Sequence, residues 1–302
     1  MGWAMADNPF RQLPSVNEVL AVPALQTLAQ DHAHDLLVAA VRTELTELRR
    51  RLGQGEVVDG QANAETVAAH MLAMMLMLSK KMIHANHALR HGTMGDRSAF
   101  MGHDIKGRTI GIVGLGNVGT RVAELARGLF AMQVIACDPY LDAATMAARG
   151  ATKISLDELL RRADFVSINC PLDEDTRGMI GAKEFALMQP HAYFITTARG
   201  FIHDERALAE ALKAKQIAGA GLDVWDKEPP PPDHPLLQFD NVIATPHTAG
   251  MTHEARANMG RIAAEQLIMT LDGKRPPRIV NPQVWPAYAK RFEQTFGLAP
   301  EG

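Results

Sequence analysis

The chain has 302 residues, 47% hydrophobic and 22% charged, with a formal net charge of −3. That length suits two modest domains or one large one, with ample apolar material for a packed core. The charge argues against a whole-protein binder of nucleic acid, and the two cysteines, Cys137 and Cys170, are too few for a disulfide framework and lack metal-ligand spacing.

The opening MGWAMADNPFRQLP has neither a basic n-region nor an apolar h-region, so no signal peptide is expected. With so few cysteines, a reducing cytoplasm is the expected compartment. Residues 1–61 read as helical. Ser15-Val16-Asn17-Glu18 has the spacing of a capping box, and Pro23 breaks the pattern. Leu37, Val41, Leu45, Leu48 and Leu52 then recur at steps of three and four on one helix face, until Gly53 and Gly55 end it. Arg42, Arg49, Arg50 and Arg51 can contact phosphates. Glu44 and Glu47 share that helix, however, and a solvated face is the other reading.

A second helix is predicted over 62–82. Its five methionines between Met71 and Met82 read as core or as a subunit interface. The run VAAHMLAMMLMLS is too short to span a membrane and contains His70, so a buried helix is expected and no membrane association. His84, His87 and His91 follow at helical spacing. No carboxylate or cysteine joins them nearby, so they read as surface or locally bonded histidines, and no metal is expected.

From Thr109 the rhythm changes. TIGIV (109–113), MQVIAC (132–137), DFVSINC (164–170), AYFIT (192–196), IAGAGLDV (217–224) and NVIA (241–244) alternate with helical stretches. Fully apolar strands between helices indicate an α/β fold whose parallel sheet is covered on both faces. A long helix over 251–271 closes the pattern, and the prolines at 229–232 read as a rigid loop.

The first of these strands runs into Gly114-Leu115-Gly116-Asn117-Val118-Gly119, and a helix follows. In a dinucleotide site the first glycine permits the tight turn, and the second lets a pyrophosphate approach the backbone. The third lets helix and strand pack closely, with the phosphates at the helix's positive end. Asp138, at the end of the next strand, can accept hydrogen bonds from a ribose hydroxyl pair and would repel a 2′-phosphate, which favours NAD over NADP. The other reading is a glycine turn in an unrelated α/β fold, with Asp138 capping the next helix.

TTARG (196–200), LDVWDKEPP (222–230) and TPHTAG (245–250) sit where later strands end. Ligands of open α/β sheets bind just beyond those ends. An arginine, a glutamate and a histidine are therefore expected to converge near a nicotinamide. Taken singly, each also reads as an ordinary surface or satisfied residue.

Over 62–282 the chain resembles the cofactor half of the D-isomer-specific 2-hydroxyacid dehydrogenases. The matching segments run in order: ANAETVAAHMLAMMLML, IKGRTIGIVGLGNVG, the Asp138 strand end, NCPLDEDTRGMI, TARG, GAGLDVWDKEPP and TPHTAGMTHEA. The resemblance implies a Rossmann-type doubly wound sheet, NAD as cofactor, and interconversion of a small 2-keto acid and its D-2-hydroxy acid. It also implies a homodimer through the Met-rich helix and the segment to Lys106. Arg199, Glu228 and His247 would be the catalytic trio. His247 would exchange a proton with the substrate, Glu228 would hold it, and Arg199 would bind the carboxylate and polarise the keto oxygen. Cofactor contacts are implied at Gly114, Gly116, Asn117, Val118, Gly119 and Asp138, at Cys170, Pro171 and Thr176, and at Thr197, Ala198 and Arg199. Asp223, His247 and Ala249 complete them, with Asp223 facing the nicotinamide amide.

In that family an α/β substrate domain of roughly one hundred residues precedes the cofactor half. The expectation here is a helical segment over 1–61 in its place, an NAD-binding domain with its dimerisation arm over 62–282, and a tail over 283–302. An NAD(H)-binding protein with little turnover is the alternative function. Residues 8–56, with LPSVNEVLAVPAL and LLVAAVRTELTELRRRLGQGE, resemble the N-terminal helical domain of bacterial L-seryl-tRNA(Sec) selenium transferase. In that family the segment helps bind the selenocysteine tRNA, so a tRNA- or protein-binding head is the weaker alternative.

Overall fold

In the computed structural model, residues 63–301 are described, apart from 278 and 280. The expectations for 1–61 fall outside the described residues.

The apolar runs become strands, and neighbours cover both faces of the central ones. The strands are β1 (Thr109–Val113), β2 (Gln133–Cys137), β3 (Thr152–Lys153), β4 (Phe165–Ile168), β5 (Tyr193–Thr196), β6 (Gly219–Leu222) and β7 (Val242–Ala244). Every pairing is parallel, in the order β3-β2-β1-β4-β5-β6-β7. The order reverses direction at β1 and β4, which opens a crevice at their carboxyl ends. β3 is absent from the sequence expectation. Its two residues are exposed and carry no apolar run; pairing with Ile135 and Ala136 alone makes it a strand.

Two apolar layers sandwich the sheet. One holds Met71, Met74 and Met75 of α1 (Ala64–Ser79), with Ile110 and Ile112 of β1. Past α2 (Met82–Arg90), α3 (Asn117–Phe130) adds Val122 and Ala126 to it, and Met146 of α4 (Ala143–Ala148) follows. The other layer holds Leu159 and Leu160 of α5 (Leu156–Arg162), Phe185 of α6 (Ala182–Leu187) and Leu208 and Leu212 of α7 (Glu205–Lys213), against Val113, Val166 and Phe194. Strand alternation does the sorting: Ile110 and Ile112 point one way and Val113 the other. Burial of each methionine contributes about 1.5–3 kcal/mol. The Met stripe is thus core at 71–75, while Met82 is exposed.

The predicted 62–82 helix is interrupted. α1 stops at Ser79, α2 starts at Met82, and the two are bent by 63°. The cause is tertiary. The Ser79 carbonyl accepts the His103 N–H at 2.8 Å instead of continuing the helix, and Lys80 pairs with Asp104 at 2.6 Å. Lys81 takes a left-handed conformation at φ 52°. Among the described residues, no single helix is long and apolar enough to cross a membrane.

Gln61–Arg256 form one compact unit. It ends within α8 (His253–Leu271). Later in the chain comes α9 (Trp285–Phe296), along which the rings of Trp285, Tyr288, Phe292 and Phe296 follow one another with centroids 5.0, 5.9 and 4.8 Å apart, the first pair stacked and the other two tilted.

Candidate active site

β1 runs into a turn that only glycine permits at two points. Gly114 lies at φ 87°, and a Cβ there would stand 2.7 Å from the Cys170 nitrogen. A Cβ at Gly119 would stand 2.2 Å from the Gly114 carbonyl oxygen, so α3 could not seat on the turn. Gly116 differs: a Cβ there would meet nothing within 4 Å. No protein atom demands glycine at that position. Its bare backbone faces open space at the start of α3, where no side chain caps the helix. The N–H groups of Asn117, Val118 and Gly119 are thereby left at the helix's positive end, which is what a diphosphate requires.

Asp138 closes this corner. Its Oδ2 accepts the Leu115 N–H at 2.9 Å and its Oδ1 the Tyr140 N–H at 3.0 Å. A carboxylate offers about four acceptor positions. Asp138 therefore ties the turn to the end of β2 and keeps acceptor capacity for a ribose diol. The residues fit a dinucleotide.

The loops after β6 and β7 bring the second group together. His247 Nδ1 lies 2.7 Å from Glu228 Oε2, with both side chains partly exposed, and Glu228 Oε1 accepts the Trp225 N–H at 3.2 Å. Burial opposes ionisation of Glu228. The His247 hydrogen bond, the Trp225 N–H and the charges of His247 and Arg199 outweigh it and hold the carboxyl below its ordinary pKa. Arg199 joins this group through charge alone, because its guanidinium donates to the Ala198 carbonyl at 2.6 Å.

His247 itself sits at φ 56°, a conformation that costs a non-glycine residue about 1–2 kcal/mol. Asp223 holds it there. The Asp223 carbonyl accepts the His247 N–H at 2.7 Å. Its fully buried carboxylate accepts from the Thr245 hydroxyl at 2.6 Å, the Thr248 N–H at 2.8 Å and the Ala249 N–H at 2.9 Å. Both Asp223 oxygens thus hold the His247 loop, Oδ1 through Thr245 and Thr248 and Oδ2 through Ala249. Ala249 is likewise buried, with its N–H on Asp223, and presents no free donor.

A cleft of about 620 Å³ opens beyond β4 and β5, beside the start of α3. Val118, Cys170, Pro171, Thr197, Ala198 and Arg199, all named from the sequence, line it. Thr176 does not. Its hydroxyl donates to the Pro171 carbonyl at 2.7 Å and accepts the Asp173 N–H at 2.8 Å, so it shapes the loop behind the wall. Burial pushes the Cys170 thiol up to about 11, which makes it a neutral contact and not a nucleophile. Asn63, Val67, Asn169 and Leu172 also line the cleft and were not singled out from sequence. Asn169 and Leu172 flank the Cys170-Pro171 pair, a signal that was available; Asn63 and Val67 arrive from α1, which only the fold places there. Among the described residues no group of three histidine, cysteine or carboxylate side chains is arranged to hold a metal. His87 and His91 stack on each other at 4.1 Å.

The family model described as D-isomer specific 2-hydroxyacid dehydrogenase, NAD binding domain, matches residues 72–249. The chain belongs to this family. The D-3-phosphoglycerate dehydrogenase of Archaeoglobus fulgidus is 36% identical over 252 residues, which cover 82% of this chain and 47% of that protein. The glyoxylate reductase of Korarchaeum cryptofilum is 39% identical over 223 residues, covering 73% and 67%. A D-lactate dehydrogenase with NAD+ from Lactobacillus jensenii superposes with a TM-score of 0.65 at 29% identity, over 72% of this chain and 68% of that one. The chain thus spans about half the length of the first relative and two thirds of the second. The selenocysteine synthase N-terminal model matches residues 10–49, in line with the resemblance read there. As a member of the dehydrogenase family, the chain carries its NAD-binding domain.

Proposed function

We propose that the chain reduces a small 2-keto acid to its D-2-hydroxy acid with NADH, and runs the reverse with NAD. The observation that carries this reading is the 2.7 Å contact of His247 Nδ1 with Glu228 Oε2. NADH, when bound, supplies the hydride that C2 of the keto acid takes up. His247 supplies the proton to the keto oxygen. With Nδ1 held by Glu228, Nε2 is the nitrogen left for the substrate, and imidazoles exchange protons near neutral pH. Glu228, kept ionised by its partners, stabilises the imidazolium before transfer and fixes the tautomer after it. Arg199, on the cleft wall, takes the substrate carboxylate, for which a guanidinium fork is suited. Glyoxylate and hydroxypyruvate appear in the names of similar reductases and are the first substrates to assay by loss of NADH absorbance. Tight NADH binding with no turnover over a keto-acid panel would select the alternative, an NAD(H)-binding protein.

Asp138 supports a preference for NADH over NADPH, because its carboxylate and a 2′-phosphate repel each other. Tryptophan-to-nicotinamide energy transfer is expected to saturate at about tenfold lower NADH than NADPH, a difference of about 1.4 kcal/mol. Asp138→Ser should narrow that gap, and an equal response of the unmodified protein to both cofactors would remove the role. A homodimer through α2 and the segment to Lys106 is supported by Met82, Ile83, Leu89 and Met101, which are all exposed there. Light scattering should give twice the chain mass; a monomer would refute the dimer.

A further inference from the structure

We propose that His70, on α1, is a positioning residue for His247. It touches neither substrate nor cofactor in this scheme and acts through a two-step hydrogen-bond relay.

The direction of the relay follows from counting protons. The Thr245 hydroxyl has a single hydrogen, and its oxygen lies 2.6 Å from Asp223 Oδ1. A carboxylate only accepts, so that hydrogen goes to Asp223. Only lone pairs of Thr245 Oγ1 then remain for His70 Nε2, 3.1 Å away. His70 Nε2 must therefore carry a proton and donate it. The same nitrogen stands 3.8 Å from Asp223 Oδ1, so His70 meets the carboxylate both through the hydroxyl and directly through space.

What Asp223 holds gives the relay its consequence. The amides of His247, Thr248 and Ala249 all donate to this one residue. They keep His247 at a positive φ that the residue does not favour on its own. Asp223 is fully buried, so no water competes for its oxygens, and its orientation is set by the groups that touch it. The Thr245 hydroxyl, backed by His70, shares Oδ1 with the Thr248 amide, while the Ala249 amide holds Oδ2. Without the His70 donor, the Thr245 hydroxyl keeps only its bond to Asp223, and the carboxylate is freer to rotate. The imidazole of His247 then moves relative to Glu228 and the substrate, and a misplacement of about 1 Å can lower a rate by up to about 100-fold. Were His70 only filling space on a half-buried helix face, leucine would serve equally.

The rate consequence rests on the proposed dehydrogenase reading; the loop consequence does not, so both are measured, on the full chain. In H70L, amide hydrogen exchange at Thr248 and Ala249 is expected to rise about tenfold while the strands of the sheet exchange as before. With glyoxylate, kcat should fall about tenfold at unchanged NADH affinity. H70Q, which keeps an N–H donor, should restore both to within about twofold. In a T245V background, H70L should add less than about a twofold further effect, because the link is already cut. Unchanged exchange at 248 and 249 in H70L would overturn the proposal, as would faster exchange spread evenly over the sheet, or a glutamine variant no better than leucine. If the unmodified protein turns over no keto acid, the dehydrogenase reading fails and the exchange measurement alone decides the role of His70.

Discussion

Replacing His247 with asparagine is expected to lower keto-acid reduction by about 10²–10⁴-fold, the range that general acid–base catalysis supplies, while NADH titrates as in the unmodified protein. Asparagine keeps a polar side chain near Glu228 but has no proton to exchange with the substrate oxygen. The dinucleotide half is unaffected, since Asp138 accepts from Leu115 and Tyr140 and not from the His247 loop. The effect should fall on kcat, because the proton is transferred only in the transition state. Glu228 sharpens the test through its lowered pKa. A carboxyl depressed by its partners contributes its stabilisation above its ordinary pKa and loses it as pH falls through the lower folded value. The contact with His247 therefore survives mild acid, and any activity lost between neutral pH and the ordinary carboxyl range does not come from protonation of Glu228. An H247N variant within about tenfold of full activity would remove His247 from the mechanism.

Much of this site was legible in sequence because its parts lie at strand ends, and strand ends show as breaks after apolar runs. The glycine turn, Asp138, Arg199, Glu228 and His247 could each be placed that way. Asp223 could be placed, but its hold on the His247 loop could not be read. Its role depends on which amides the later loop folds toward it, and those of Thr248 and Ala249 come from 25 and 26 residues along the chain. The direction of Thr176 was hidden for a similar reason: its hydroxyl bonds the Pro171 carbonyl of its own loop, which no spacing shows. The fold shows the same division. Strands that bury both faces announced themselves; β3, with two exposed residues, did not. The break between α1 and α2 was hidden because its cause, the His103 N–H on the Ser79 carbonyl, is remote in sequence.

His203 gave no sequence signal at all, yet it carries the largest expected effect on stability. It is 1% exposed, packs its ring 5.3 Å from that of Phe194, and neither ring nitrogen has a hydrogen-bond partner among the described residues. Leaving such groups unpaired costs about 1–3 kcal/mol. Burial pushes the imidazole down to about 4, against the pull of Glu205 and Asp204. Its folded pKa thus lies below its ordinary value, so between the two the unfolded chain binds the extra proton. Stability must fall as pH drops through that window, by about 1.4 kcal/mol per pH unit and about 3 kcal/mol in all, and level off below it. His203→Leu, of similar volume, is expected to be as stable or up to about 2 kcal/mol more stable at neutral pH. Its advantage should widen by about 2–3 kcal/mol toward pH 4.5. Urea unfolding at a series of pH values reads this directly, and a gap that stays constant would show that His203 gains no proton on unfolding. The consequence reaches the site. Two residues on, Glu205 accepts the Asp226 N–H at 2.9 Å and meets His234 Nε2 at 3.1 Å, so opening around His203 would loosen the segment that presents Glu228. Loss of activity should therefore accompany acid unfolding, and H203L should move both the unfolding limb and the activity limb to lower pH together.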